Sequence, residues 1–440
     1  MSKKSTGKTV PSGRLVRAGR LGAMAGRVAT SMLTEGAGQW LKGKRPSWSS
    51  LLLTPANLSR ITEQLATMRG AAMKLGQLIS MDSGDFLPEE LSTILGRLRE
   101  DAHPMPREQL QAVLDDAWGA GWQDNLLYFS FAPIAAASIG QVHKAITMDG
   151  ETLAIKVQYP GVRDSISSDV DNVATLIRLS GLVPGRVDLA PLLGEAKTQL
   201  EQEADYLREA AMLRRYQALI DDEPSLVMPD VYDTLTTDTV LAMRFLKSEP
   251  LDVLQGLPQA DRDSLMSTLM RLFFKEVFDA GLIQSDPNLA NYRLDTENTR
   301  IALLDFGATR ELSNTISNGY RELLNAAATS DRERMRSAAL AIGLIHDEHS
   351  EAQQEAVLDI GMLACESIRQ EGVYDFGQST LISRLQPMGM ALTFDLDFWH
   401  TPPADALFIH RKLGGLFLLA KRFRARINMR DTARPWLDQT

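Results

Sequence analysis

The chain has 440 residues, with 47 Lys and Arg against 56 Asp and Glu, a formal net charge of -9, 44% hydrophobic residues and one cysteine. At roughly 100–200 residues per domain, this length suggests two or three domains, or one large core with an extension. Lone Cys365 excludes an internal disulfide and a cysteine-built zinc site, so a stapled secreted scaffold is excluded and a reducing compartment is the default. No run approaches the roughly 18–20 apolar residues of a membrane span; Leu416–Ala420 is too brief.

The acidic total argues against nucleic acid as a partner, but it conceals a polarity along the chain. Residues 1–45 carry ten basic side chains and one acid, Glu35, so this arm is +9 and the other 395 residues sum to -18. Arg14, Arg17, Arg20 and Arg27 interrupt any signal-peptide core, whereas an Arg-rich, acid-poor start fits an organellar transit peptide. Leu15, Ala18, Leu21, Ala25, Val28 and Met32 recur at helical spacing, read either as a docked helix or as an interfacial membrane helix.

Helices are expected over 55–80, 88–99 and 107–118, so residues 46–120 read as a helical extension. After Trp122 the pattern changes. Apolar and β-branched residues predict strands over 127–133, 140–147 and 152–158, with Met148-Asp149-Gly150-Glu151 as a hairpin turn. One long helix is expected over 190–220, followed by strands at 229–235 and 238–245. Residues 121–247 therefore form a small antiparallel sheet with one prominent helix. Residues 248–430 read as mostly helical, over 259–281, 313–329, 331–343, 350–370, 378–391 and 404–427, with a strand pair at 291–294 and 300–304.

Four signals carry chemistry. Lys156 lies within the apolar strand Leu153-Ala154-Ile155-Lys156-Val157; by itself it reads as an edge lysine, since an unpaired buried ammonium is costly. About fifty residues later comes the acidic helix Glu201–Ala210, by itself a solvated face, but a strand lysine followed by a helix glutamate is the arrangement that presents an amine to nucleotide phosphates. Asp286 and Asn291, five apart in a loop, match the spacing of a catalytic acid and a metal-binding amide. Alone, Asp286-Pro287-Asn288 is an ordinary turn. Asp305-Phe306-Gly307 ends an apolar strand, where such an Asp chelates the magnesium that bridges phosphates. Their order and their elements together specify a protein-kinase-like nucleotide site.

Two departures stand out. Where a Gly-rich turn would cover the phosphates, the chain has Ala135-Ala136-Ala137-Ser138-Ile139-Gly140-Gln141, and alanine neither enters positive φ as readily nor lets a ligand approach the backbone as closely. Gln284-Ser285 stands where His-Arg would precede the catalytic Asp.

With these departures, the chain resembles the UbiB/ADCK family of atypical kinase-like ATPases, accessory proteins of ubiquinone (coenzyme Q) biosynthesis. The resemblance rests on the Ala-rich loop, on Lys74-Leu75-Gly76-Gln77, on Glu203-Ala204-Asp205 six residues before Glu209, and on Ala154–Val162. Gln284-Ser285-Asp286-Pro287-Asn288 and Leu303–Glu311 look more like the mitochondrial ADCK branch. The fold it implies is α+β, a bilobal protein-kinase-like fold with an N-terminal helical extension carrying the Lys-x-Gly-Gln motif.

The resemblance implies ATP and Mg2+ as cofactors. Lys156 would contact the α/β-phosphates and pair with Glu209; Asp286 would be the catalytic-loop acid; Asn291 and Asp305 would bind magnesium. Ala135, Ala136, Ala137, Ser138, Ile139, Gly140 and Gln141 would cover the nucleotide, with Gln77 in the same binding set. Lys74, paired to Glu203, would reach toward the phosphates while its helix blocks peptides. Partners would be ubiquinone-biosynthesis enzymes or lipid intermediates and an anionic membrane surface, with a cytoplasmic or peripheral inner-membrane location, on the matrix side in a eukaryote. A true small-molecule or protein kinase and a nucleotide-switched scaffold stand as alternatives.

Three further groups are open. The six histidines lack ligand spacing in sequence. Met243 and Phe245 read as adenine-pocket or plain core residues. Arg411, Lys412, Lys421, Arg422, Arg424 and Arg426 make the last long helix basic, as a solvated face or as a contact for anionic lipid.

Overall fold

The computed structural model describes residues 70–71, 104–180, 190–286, 291–400 and 402–437. The helices expected over 15–32, 55–80 and 88–99, and with them Lys74 and Gln77, lie outside the described residues, apart from helical Gly70 and Ala71. The chain divides into two units: one takes in residues up to Ala211 together with Asp230–Phe245, the other Met212–Pro229 and everything from Leu246.

The first unit is built on an antiparallel sheet. Its strands are β1 (Leu126–Phe129), β2 (Ala135–Ala136), β3 (Gly140–Thr147), β4 (Thr152–Gln158) and β5 (Val240–Arg244), in the order β1-β3-β4-β5 with β2 beside β3. Strand alternation sends Leu153, Ile155 and Val157 of β4 to one face. There they meet Leu110 and Leu114 of α1 (Arg107–Trp118), Trp122 and Val240 in one buried cluster. Each such side chain contributes roughly 1.5–3 kcal/mol by leaving water. The same alternation sends Lys156 and Gln158 to the opposite face. That face is covered too: the Gln158 amide donates to the carbonyls of Ala204 at 2.8 Å and Asp238 at 3.2 Å.

Helices α2 (Val162–Ser180), α3 (Ala190–Glu203) and α4 (Tyr206–Leu219) follow β4. The single helix expected over 190–220 is in fact two. Asp205 interrupts it and caps α4, its Oδ1 accepting the Arg208 N–H at 2.9 Å, because a short side-chain acceptor outside the helix satisfies a first-turn donor that the backbone cannot. The strand expected over 229–235 reduces to a bridge between Val231 and Met243 and a 3-10 turn at Asp233–Leu235. β1 is likewise shorter than the expected 127–133.

The second unit is mainly helical: α5 (Gln259–Phe274), α6 (Asn314–Thr329), α7 (Arg332–Ala341), α8 (Glu351–Ala364), α9 (Leu381–Phe394) and α10 (Ala404–Arg422). The helix expected over 259–281 changes winding at Lys275–Asp279, a single π turn, and the one expected over 350–370 breaks at Cys365. Short strands set the loops. β6 (Leu282–Gln284) pairs antiparallel with β9 (Thr309–Glu311), while β7 (Tyr292–Asp295) pairs with β8 (Arg300–Leu303). The segments before Asp286 and after Gly307 are therefore stitched side by side, with Asn291 just before the start of one hairpin strand and Asp305 beyond the end of the other.

Candidate nucleotide and metal site

In the first unit, Lys156 is 8% exposed and Glu209, on α4, 1%. The lysine Nζ lies 2.9 Å from each carboxylate oxygen of Glu209 and 5.2 Å from the centre of the Tyr206 ring. A buried ammonium needs such a partner, because desolvation of either charge alone is expensive. The strand lysine is thus held rigidly by the helix that its sequence spacing suggested.

The Ala-rich loop is a tight turn. Ala135 pairs with Val142 and Ala136 with Gln141, and the Ala137 N–H donates to Gly140 O at 2.9 Å. Ala135 and Ala136 are exposed, whereas Ile139, Gly140 and Gln141 are buried. Gly140 has a packing reason to be glycine: a Cβ there would lie 2.3 Å from the Val157 carbonyl oxygen. Gln141 turns its side chain inward, accepting the Met105 N–H at 2.9 Å and donating to His143 Nε2 at 2.8 Å. Ser138 donates to Glu203 at 2.8 Å, which ties the loop to the Glu203-Ala204-Asp205 element. A Cβ at Gly70 would lie 3.2 Å from Ser138 O, so the described helical residues four positions before Lys74 pack on this same turn. Lys74 itself, expected against Glu203, and Gln77 are outside the described residues.

In the second unit, Asn291 donates its amide to the Asp286 carbonyl at 3.1 Å, which leaves the amide oxygen to serve a cation. Ser285 donates both its N–H, at 3.1 Å, and its hydroxyl, at 2.7 Å, to Ala308 O. Asp305 accepts the Gly307 N–H at 3.0 Å, and Phe306 is buried against Tyr216 with ring centres 4.8 Å apart. Asn291 and Asp305 line one small cavity with Tyr216, Glu276, Gln284 and Lys412. Among the described residues no group of three or more His, Cys, Asp or Glu could hold a metal by itself. The Asp305 carboxylate and the Asn291 amide oxygen are oxygen ligands of the kind a hard cation such as magnesium takes.

The basic stretch of α10 is not a uniformly solvated face. Lys412 is 2% exposed, its Nζ 3.2 Å from Glu276 Oε1 and 3.1 Å from the Gln284 carbonyl. Arg411 reaches Asp286 Oδ1 at 3.4 Å, Lys421 donates to Ser379 O, and Arg422 pairs with Asp252. Burial works to lower Lys412, but neighbouring Glu276 and Tyr292 outweigh it and hold the ammonium above its ordinary range. Burial raises the Glu276 carboxyl against the opposing pull of Lys412. Sequence reasoning missed this pair, since nothing in the spacing of residues 276 and 412 connects them.

It also missed a meeting of three imidazoles. The rings of His346, His349 and His400 lie with centres 4.7 to 5.5 Å apart. Their nitrogens are partly spent: His400 Nε2 donates to Gly343 O, and His349 Nδ1 accepts the His346 N–H. Met243 is buried in the sheet, and Phe245 lies under Lys144, ammonium to ring centre 4.9 Å.

A family model described as the ABC1 atypical kinase-like domain matches residues 97–339. The rat protein named atypical kinase COQ8B, mitochondrial, is 35% identical over 433 residues, 98% of this chain and 82% of its own length. The protein of Saccharomyces cerevisiae named atypical kinase COQ8, mitochondrial, is 34% identical over 431 residues, 97% of this chain and 85% of its own. Among solved structures, that of Rv3197 with erythromycin from Mycobacterium tuberculosis has a TM-score of 0.57 at 23% identity, covering 86% of this chain and 95% of that one, a likeness of fold. No described helix is long and apolar enough to cross a membrane. With strand lysine, helix glutamate, loop Asp and Asn and strand-end Asp-Phe-Gly each on its element, and a family model spanning more than half of the chain, this protein belongs to the ABC1 atypical kinase-like family and is a kinase-like ATPase or phosphotransferase.

Proposed function

We propose that the chain is an ATP- and Mg2+-dependent atypical kinase or ATPase that supports coenzyme Q biosynthesis, acting on lipid intermediates or on the membrane enzymes that process them. The observation that carries the nucleotide reading is the buried Lys156–Glu209 pair, with both carboxylate oxygens 2.9 Å from the amine. A lysine so held is preorganised for phosphate oxygens and needs no reorganisation when charge develops on them.

In this reading Lys156 binds the α/β-phosphates, with Glu209 fixing its direction. Residues Ala135–Gln141 cover the nucleotide, with Ala135 and Ala136 exposed and the buried Gln141 anchoring the turn. Asp305 and the Asn291 amide oxygen hold magnesium, which when bound neutralises phosphate charge. Asp286 orients a hydroxyl or a water, and its contact with Arg411 sets the direction of the carboxylate. Lys74 and Gln77, with Glu203, complete the binding set from the N-terminal side. The coenzyme Q role is supported by the likeness to COQ8 proteins over nearly the whole chain. The basic residues of the N-terminal arm support contact with an anionic membrane surface, on the matrix side of the inner membrane if the protein is mitochondrial.

The test is quinone profiling of a deletion strain complemented with wild type or with Asp305→Asn, alongside phosphate release by the purified proteins. Restored coenzyme Q with wild type and not with the variant is expected. Normal coenzyme Q in the deletion strain sinks the pathway assignment, and full complementation by Asp305→Asn turns the reading toward a scaffold.

A further inference from the structure

A fully buried lysine is an unusual choice for a helix that could have closed its core with an apolar residue. Replacing a buried ion pair by apolar side chains of similar volume is often neutral or stabilising, so stability alone gives no reason for one here. The reason lies in what the pair touches. Lys412 divides its hydrogen bonds between Glu276 and the carbonyl of Gln284, two residues before Asp286. Glu276 is fully buried and sits in the π turn that follows α5, where it also accepts the Tyr216 hydroxyl at 3.1 Å. A π turn is a common device for re-aiming a side chain at a functional site.

The neighbouring residue on α10 acts on the same segment from a second direction. Arg411 Nη2 lies 3.4 Å from Asp286 Oδ1. Consecutive helical residues point about 100° apart, since a turn takes 3.6 residues. The main chain entering the loop and the carboxylate it carries are therefore gripped separately. Glu276 and Lys412 also share a cavity wall with Asn291 and Asp305, and Glu276 Oε2 and Gln284 Oε1 have no hydrogen-bond partner there among the described residues. The network thus ends at the side chains assigned to the cation.

We propose that α10 is the positioning element of the catalytic loop: Lys412, clamped by Glu276, fixes the Gln284 carbonyl and hence the placement of Asp286, while Arg411 fixes the direction of the Asp286 carboxylate. Lys412 is a positioning residue, acting through Gln284 and Asp286 without touching nucleotide or acceptor. The proposal rests on the ATP-using reading above.

The test uses the full chain. Lys412→Met alone would leave Glu276 buried without its cation, so the decisive variant is Lys412→Met/Glu276→Gln, which removes both charges and keeps an acceptor for the Tyr216 hydroxyl. Binding of a fluorescent ATP analogue with Mg2+ gives affinity and stoichiometry, and kcat for ATP hydrolysis is referred to that stoichiometry, so lost folded protein is not counted as lost catalysis. The expected result is nucleotide Kd and KM within about threefold of wild type, with kcat down tenfold or more, the split expected when transition-state placement and not ground-state binding is lost. Should the double variant not fold, Arg411→Met is measured in the same way with the same fall in kcat expected. Wild-type kcat in whichever folded variant is measured overturns the proposal. A wild-type protein that turns over no ATP overturns the underlying reading, and the proposal with it.

Discussion

Lys156 and Glu209, 53 residues apart in sequence, form a two-oxygen ion pair at 2.9 Å inside the first unit. Side chains that act as one device give non-additive losses. Lys156→Met and Glu209→Gln are each expected to lower kcat/KM for ATP hydrolysis by roughly 10–100-fold, about 1.4 kcal/mol per tenfold. The double variant should be little worse than the poorer single one. Multiplying losses, read from steady-state phosphate release, would show two independent contributions.

Gly140→Ala tests why glycine stands at the start of β3. The new Cβ would lie 2.3 Å from the Val157 carbonyl oxygen, a distance that real atoms do not sustain, so β3 and β4 must part. Overpacking of this kind costs typically 1–3 kcal/mol. Thermal unfolding of the variant should fall by several degrees, and nucleotide affinity should fall with it as the Ala135–Ile139 turn shifts. Ala136→Gly, on the exposed strand of the same turn, should leave the unfolding temperature within a degree or two.

Acid should destabilise the first unit through His143. Burial lowers its pKa, with the Ser130 carbonyl pulling the other way. In the fold Nδ1 donates to Ser130 O at 2.7 Å and Nε2 accepts the Gln141 amide at 2.8 Å, so a proton on Nε2 would set donor against donor. Because the folded pKa lies below the unfolded one, the stabilisation is whole above the unfolded value of about 6.5 and is lost as pH falls through the folded value. Unfolding free energy measured by urea from pH 8 downward should decline through this window, and His143→Gln should flatten the decline. Parallel curves for the two proteins would assign the acid sensitivity elsewhere.

Cys365 should be inert in the native protein. It is buried at the break after α8, and burial pushes its thiol up to about 12 despite nearby Arg369, so little thiolate exists at neutral pH. A colorimetric thiol reagent should report less than one reactive thiol per chain until denaturant is added, and one thereafter. Rapid native labelling would contradict this assignment.

What was legible in the sequence follows from the range of the forces. β3, β4 and their turn can be read because strand residues form a local pattern, whereas Lys156 by itself reads as an edge lysine and its burial against Glu209 comes from a helix 53 residues away. The 162–180 helix was not expected: its apolar positions Ile166, Val170 and Val173 have helical spacing, but Ser, Asp, Asn and Val dilute its propensity, and burial of that face supplies what propensity lacks. The break at Ala204-Asp205 was hidden because an N-cap aspartate inside an acidic run looks like one more solvated charge. Lys412 reads as surface in the sequence because its carboxylate lies 136 residues earlier, and the three imidazoles read as scattered because loops, not a helix face, bring them together. Kinase-type order is visible because each member lies on or next to a regular element that local pattern marks; the tertiary partners of those residues are not.

Phe306 bears on how such an enzyme could be switched. Displacing it would expose a buried ring, roughly 1.5–3 kcal/mol by area alone, and would break its packing on Tyr216 beside segments already laced by Ser285 to Ala308. An inward-to-outward flip of this phenylalanine is therefore a poor toggle in this chain. Inhibitors shaped to occupy the space behind a displaced phenylalanine should bind weakly to this chain, because opening that space gives up the burial of the ring.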